Sequence, residues 1–237
     1  MIEDAELLIL LFFSYSILGW FMEGIVKYID YKRFINRGFL IGPYCPIYGF
    51  GMIFIILLLQ NYTNHPLVFF LLVIFICSMV EYTTSYLMEK IFKARWWDYS
   101  EEKFNINGRI CLTTMIPFGI LGTFIMYIVN PFLVKIYSSF SFKLATFLCL
   151  FLLIIFLIDN IISLSALLKV RNDGNLHEKD NTEEMSKKVK DIIANFNWKE
   201  RRLIKAFPNV KFIRSTIKNN INKAKNKLET KRKKAKT

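Results

Sequence analysis

The chain has 237 residues, 54% of them hydrophobic and 16% aromatic, and a formal charge of +13. An ordinary water-soluble domain would struggle to hide that much apolar surface. The charge is not a diffuse nucleic-acid signature either: up to Leu168 there are 11 Lys/Arg against 11 Asp/Glu, whereas residues 169–237 carry 21 against 8, so the whole excess lies in the tail. Four scattered cysteines without a C-x-x-C pair and two distant histidines, His65 and His177, indicate neither a disulfide framework nor a metal centre. No cofactor is expected.

In chain order, the first apolar stretch runs from Leu7 to Tyr28. It follows an acidic N-terminus with no basic segment or small-residue cleavage site, so no cleavable signal peptide is expected. Further stretches run from Tyr44 to Leu59, Pro66 to Met88, Leu112 to Phe132 and Phe142 to Leu168. A crossing takes about 20 mostly apolar residues. The spacing therefore predicts an all-α bundle of about five transmembrane spans. The second is the shortest, and Pro46, Gly49 and Gly51 make an irregular first turn expected there.

Lys and Arg flank alternate loops. Lys27, Lys32, Arg33 and Arg37 follow the first span, and Lys90, Lys93, Arg95, Lys103 and Arg109 follow the third. The basic tail follows the fifth. The other side holds only Lys135 and Lys143 beside the acidic N-terminus. The positive-inside bias then places the N-terminus outside and the C-terminus inside. The chain divides into a bundle, residues 1–170, with motif loops at 31–46 and 91–111, and a basic cytoplasmic tail, residues 171–237.

Acidic residues inside spans cost about 2.5–3.5 kcal/mol on insertion scales and usually face protein or a wet cavity. Glu23 shares a helical face with Gly19 and Ser16, Glu81 with Ser78, Ser85 and Glu89, and Asp159 with Ser163. These faces can converge on one internal site, with Asp159 as a second intramembrane acid. Alternatively, Glu23 and Glu89 lie at the interface and pair with Lys27 or Arg95. Ion pairing with a loop arginine is an alternative for Glu81 and Asp159 too.

Two loops look unlike plain connections. One runs Asn36-Arg37-Gly38-Phe39-Leu40-Ile41-Gly42-Pro43-Tyr44-Cys45-Pro46, where glycines and prolines break helix and aromatics favour burial. The other runs Arg95-Trp96-Trp97-Asp98-Tyr99 and then Asn107-Gly108-Arg109. Two tryptophans gain nothing in open water, so this loop is expected to fold against the bundle mouth. Arg37, Arg95 and Arg109 can clamp a phosphate or carboxylate, or meet Glu23, Glu81 or Glu89 in internal salt bridges.

In the tail, Asn181 and Glu184 form a capping-box pattern ahead of Met185, Val189, Ile192 and Phe196, and Val210, Ile213, Ile217, Ile221 and Leu228 form a second apolar stripe beyond Pro208. Basic amphipathic helices of this kind suit an anionic inner leaflet, a partner helix or plain solvent. Nucleic acid is not expected as a partner, since aromatic interleaving is sparse.

Taken in order, Gly19-Trp20 with Glu23, Asn36-Arg37-Gly38-Phe39-Leu40 with Gly42-Pro43 and Pro46-Ile47-Tyr48-Gly49, Glu81-Tyr82 with Met88-Glu89, Arg95-Trp96-Trp97-Asp98-Tyr99, Asn107-Gly108-Arg109 and Ala206-Phe207-Pro208 make the chain resemble a family of small bacterial membrane proteins labelled putative ABC-transporter permeases, type IV. The resemblance implies a multi-pass protein of the bacterial cell membrane that serves transport. It also implies a separate ATPase subunit, because this chain carries no G-x-x-x-x-G-K-[ST] loop.

Three readings of function follow. In the first, the chain is a transport component whose polar cytoplasmic-side cavity binds a solute or anionic ligand through Glu23, Asn36, Arg37, Glu81, Glu89, Arg95, Trp97, Asp98, Asn107 and Arg109. The second is an intramembrane enzyme acting on a lipid or phosphorylated headgroup, with Glu81 or Asp98 as base, the arginines stabilising charge and Asn36 or Asn107 orienting substrate. It lacks a histidine in the polar loops, an H-E-x-x-H and a G-x-S-x-G. The third is a scaffold or sensor that uses the basic tail. The transport reading is preferred, with no catalytic residue assigned.

Overall fold

The computed structural model describes residues 4–32, 40–92, 94–173 and 211–212. Asn36 and Arg37 lie outside the described residues, as does nearly all of the tail beyond residue 173. Six α-helices make up the body: α1 (Asp4–Tyr31), α2 (Pro46–Leu59), α3 (Pro66–Phe92), α4 (Leu112–Phe124), α5 (Asn130–Ser138) and α6 (Phe142–Asp173). Short strands β1 (Ala94–Arg95), β2 (Asn105–Ile106), β3 (Ile110–Cys111) and β4 (Lys211–Phe212), a 3-10 turn (Gln60–Tyr62) and a π-helical turn (Ile125–Val129) complete the described elements. The first, third and fifth predicted stretches appear as helices extended by a few residues at one or both ends, the second starts two residues late at Pro46, and the fourth runs on to Ser138 through a π-helical turn.

Four segments are long and apolar enough to cross a bilayer: Asp4–Val26, Pro66–Phe92, Leu112–Ser138 and Phe142–Ala166. The third joins α4 to α5 through a π-helical turn, Ile125–Val129. Pro131 follows this turn and has no N–H to return to the preceding turn, so the wider loop accommodates its ring. Leu67 (73% exposed), Ile161 (66%) and Phe147 (65%) point outward. That apolar exterior would be untenable in water and suits lipid. The chain is an all-α, multi-pass membrane protein.

Two ends can be told apart. At one, Thr146 Oγ1 bonds the Glu6 carboxylate, and Leu10 packs with Ala145 and Cys149, so α1 and α6 start together and run parallel. At the other lie the C-terminal ends of α1, α3 and α6 and the β2–β3 hairpin. We call this the loop end. The main core, including Leu11, Tyr15, Met52, Ile55, Phe69 and Val73, joins α1, α2 and α3 nearer the opposite end.

The second predicted span differs from its neighbours, because its helix is shorter than the four segments long enough to cross. Cys45 N donates to Ser16 O at 2.8 Å, and Ser16 is ~18 Å along α1 from Asp4 at 1.5 Å per residue. Leu40–Cys45 is therefore non-helical backbone at mid-bundle depth, and α2 runs as helix only from there to the far end. Such backbone is tolerated within a bilayer only where protein satisfies its polar groups. Asp159 does so: Oδ1 accepts from Ile41 N (2.9 Å) and Ser163 Oγ (2.9 Å), and Oδ2 accepts from Gly42 N (2.7 Å) and Tyr44 Oη (2.6 Å). Close helix approach holds the same region from the other side. A Cβ on Gly49 would run into Ser16 Oγ and Phe12, and one on Gly19 into the Tyr48 ring.

Candidate functional site: an acidic cavity beneath an ion-paired loop

The expected polar residues separate into three groups. The first is Asp159, whose carboxylate is 7% exposed and occupied by the re-entrant segment. It is on α6, as expected, but its oxygens hold backbone.

The second group lies at the loop end. Ile106 pairs with Ile110, and Asn107 and Gly108 turn the chain with φ of 54° and 65°. Asn-Gly favours that positive-φ pair. A Cβ on Gly108 would lie 2.7 Å from Asp98 Oδ1 and 3.2 Å from Arg95 Nη1, so the turn packs against the Arg95–Asp98 segment. Tyr99 N donates to Gly108 O at 2.7 Å, and Trp97 Nε1 donates to Arg109 O at 2.9 Å. The tryptophan loop is thereby stapled to the hairpin.

Charge closes this layer. Glu89 Oε2 meets Arg109 Nη1 at 2.7 Å and Arg95 Nε at 3.0 Å, and Arg95 Nη1 reaches Asp98 Oδ1 at 3.4 Å. Asp98 also accepts from Ser100 N and Oγ. Arg109 is 8% exposed, lies over the rings of Tyr82 and Tyr86 at 5.6 and 5.5 Å, and donates to Ser85 Oγ at 3.4 Å. Asn107 Nδ2 donates to Tyr82 Oη at 2.9 Å. Burial works against the Arg95 charge, but the Glu89 and Asp98 carboxylates outweigh it and raise its pKa. Among the alternatives left by the sequence, the described arginines thus meet Glu89, and both are engaged in the protein's own salt bridges.

Beneath this layer is a cavity of about 570 Å³ between α1, α2, α3, α4 and the tryptophan loop. Its walls are mainly apolar and aromatic, among them Met22, Met52, Met88, Phe118, Phe156 and Trp97. Two carboxylates reach it. Glu23 Oε1 accepts from Tyr48 Oη at 2.7 Å. Glu81, 6% exposed, accepts from Tyr99 Oη at 3.3 Å through Oε1. Its Oε2 has no hydrogen-bond partner among the described residues. Thr114 lies beside it, but its hydroxyl donates to Cys111 O. Burial first, then the Glu81 charge, hold the Tyr99 phenol well above its ordinary pKa, so it stays a hydrogen-bond donor.

Glu23 and Glu81 therefore share one chamber, while Glu89, Arg95, Asp98, Asn107 and Arg109 form its roof. From α6, Asn160 rather than Asp159 contributes to the lining. Sequence reasoning did not single out Tyr48, Tyr99 or Asn160. Tyr48 and Tyr99 stood inside quoted motifs, and a phenol within reach of a buried acid was the available signal.

Searches among curated proteins and solved structures return no match. The family described as putative ABC-transporter type IV matches residues 10–164, which contain most of α1, all of α2 to α5, most of α6 and both described motif segments. A match over that much of the chain settles membership: the chain belongs to the putative ABC-transporter type IV family.

Proposed function

We propose that the chain is a transport component whose cavity between α1, α2, α3 and α4 holds the transported solute. The carrying observation is the 570 Å³ chamber with a buried carboxylate oxygen that has no partner among the described residues. Binding pockets for small molecules have about this size, with apolar walls and few polar groups. An anionic ligand is disfavoured, because Arg95 and Arg109 are tied to Glu89 and, among the described residues, the charged groups lining the chamber are acids. The bias of Lys and Arg places the loop end in the cytoplasm. There the roof of the cavity is the surface available to a separate ATPase subunit, which family membership suggests as a partner. The basic tail follows on the same side, next to the anionic inner leaflet.

Gly51 supplies the test. It lines the cavity, and a Cβ there would have no atom within 4 Å. Gly51→Ala leaves the chamber open, whereas Gly51→Phe projects a ring into it from a Cβ that meets nothing within 4 Å. Intracellular and extracellular small molecules are compared by mass spectrometry in cells with no chain, wild type, Gly51→Ala or Gly51→Phe. At least one solute should redistribute with wild type and Gly51→Ala and revert with Gly51→Phe. If no solute follows that pattern, the reading is wrong.

A further inference from the structure

Building on this transport reading, we propose that the chamber's solute is a mainly apolar, aromatic molecule carrying an N–H or O–H donor, and that Glu81 Oε2 accepts from that donor.

The acceptor is fixed by the protein and left open by it. Glu81 is 6% exposed, lines the chamber from α3, and turns Oε1 to Tyr99 Oη at 3.3 Å. Oε2 has no hydrogen-bond partner among the described residues. Neighbouring hydroxyls on its own helix and on α4 are committed elsewhere: Ser78 Oγ donates to Ile74 O at 2.7 Å, and Thr114 Oγ1 donates to Cys111 O at 3.0 Å. A buried acceptor without a donor carries a standing cost, which an entering donor removes.

The walls define the rest of the ligand. Their phenol and indole donors are spent within the protein: Tyr48 Oη on Glu23 at 2.7 Å, Trp97 Nε1 on Arg109 O at 2.9 Å, and Tyr99 Oη on Glu81. What these side chains offer the chamber is ring surface. Tyr48 and Phe118, from α2 and α4, meet edge to face with centroids 6.1 Å apart, an arrangement that a third ring can extend. Met22, Met52 and Met88, from α1, α2 and α3, add flexible thioethers that adapt to the edge of a flat ring. A lone water at Oε2 would need about two to four polar partners in all, which mainly apolar walls supply poorly. An aromatic solute covers the rings and brings its donor to the open oxygen.

Indole and N-methylindole test this, since they share a ring system and differ in the donor. Binding to the full chain in lipid nanodiscs is measured by equilibrium dialysis, with empty nanodiscs as the blank. In wild type, indole should bind at least about tenfold more tightly than N-methylindole, whose methyl group would leave the buried acceptor stranded. Glu81→Met keeps the length of the side chain and removes the acceptor, so there the two should bind alike; a preference due to methyl bulk alone would persist. Gly51→Phe, with its ring in the chamber, should weaken both by a similar factor. Equal or tighter binding of N-methylindole to wild type, or a preference for indole retained in Glu81→Met, overturns the donor assignment. The wild-type comparison decides on its own where Glu81→Met does not fold. If neither compound binds wild type, or if binding is unchanged in Gly51→Phe, the aromatic class falls. In each of these cases the transport chamber stands where solute redistribution in cells still follows the Gly51→Phe pattern, and both readings fall where it does not.

Discussion

Replacing Asp159 by asparagine should open the re-entrant segment. The carboxylate takes two donors on each oxygen, and two of the four are backbone N–H groups, of Ile41 and Gly42. An amide offers one oxygen, so whichever way it turns, one of those N–H groups faces an NH₂. Tyr44 and Ser163 can rotate their hydroxyls to adapt, but a backbone N–H cannot. One stranded N–H costs about 1–3 kcal/mol, and the three remaining bonds lose their charge assistance, roughly another 1 kcal/mol each. The neutral amide is cheaper to bury, which offsets part of this. A net loss of about 3 kcal/mol corresponds to about a hundredfold rise in local opening.

Cys45 reports that opening, since its own N–H is tied to Ser16 O at the inner end of the segment. Maleimide labelling followed site by site with mass spectrometry should show Cys45 of Asp159→Asn reacting about a hundredfold faster than wild type. Cys77, on α3, should react at an unchanged rate. Ser163→Ala, which removes a single hydroxyl donor, should alter the Cys45 rate by less than about tenfold. An unchanged Cys45 rate in Asp159→Asn would refute the assignment of Asp159 as the anchor of this backbone, and would return it to the list of acids free to bind solute.

The ion-paired roof predicts an asymmetry: Glu89→Gln strips two arginines of their shared anion and should destabilise the protein by about 3 kcal/mol, because Arg109 is nearly fully buried. Arg95→Lys, at a side chain 25% exposed, should cost about 1 kcal/mol or less, and equal losses in thermal unfolding in detergent would contradict the roof as described. Along α2, Gly49→Ala should cost about 1–3 kcal/mol through its clash with Ser16 and Phe12, while Gly51→Ala should be neutral or stabilising by up to about 1 kcal/mol. The same unfolding assay decides, and a reversed order would mean that α1 and α2 do not pack through Gly49.

Helix positions were legible because a bilayer imposes one demand, about 20 apolar residues, and little else competes with it. The stretch from Pro66 shows this well: its start is the observed one, and only its far end differs, running on from Met88 to Phe92 where Glu89 and Lys90 are polar enough to look like loop. The Ser78–Glu81–Ser85 face was legible for a similar reason, since spacing by three and four survives any tertiary arrangement. Partner choice was not legible. Asp159 and Glu81 look alike in sequence, each an acid flanked by apolar residues. What distinguishes them is a backbone segment more than 100 positions away that folds into the bundle and fills one carboxylate. The roles of Arg95 and Arg109 were hidden likewise, because the hairpin that brings both to Glu89 is a tertiary result of the Asn107-Gly108 turn.

Among the described acids of the loop-end half, the chain stabilises nearly every carboxylate it buries. Asp159 has four donors, Glu89 has two arginines, Asp98 has Arg95 and Ser100, and Glu23 has Tyr48. Glu81 is the exception, 6% exposed with Oε2 unmatched. In that position the side chain holds a carboxyl in apolar surroundings, which costs free energy. A neutral amide of the same shape avoids that charge and can still accept from Tyr99. Glu81→Gln should therefore raise the thermal stability of the empty protein, by about 1–2 kcal/mol given the insertion cost of an acid at this depth. A group that costs stability where it stands, so that its replacement stabilises, is the expected signature of a ligand site, whereas removal of a structural ion-pair partner destabilises. If Glu81→Gln unfolds at a lower temperature than wild type, Glu81 holds the bundle together as Asp159 does, and the chamber has no spare acid.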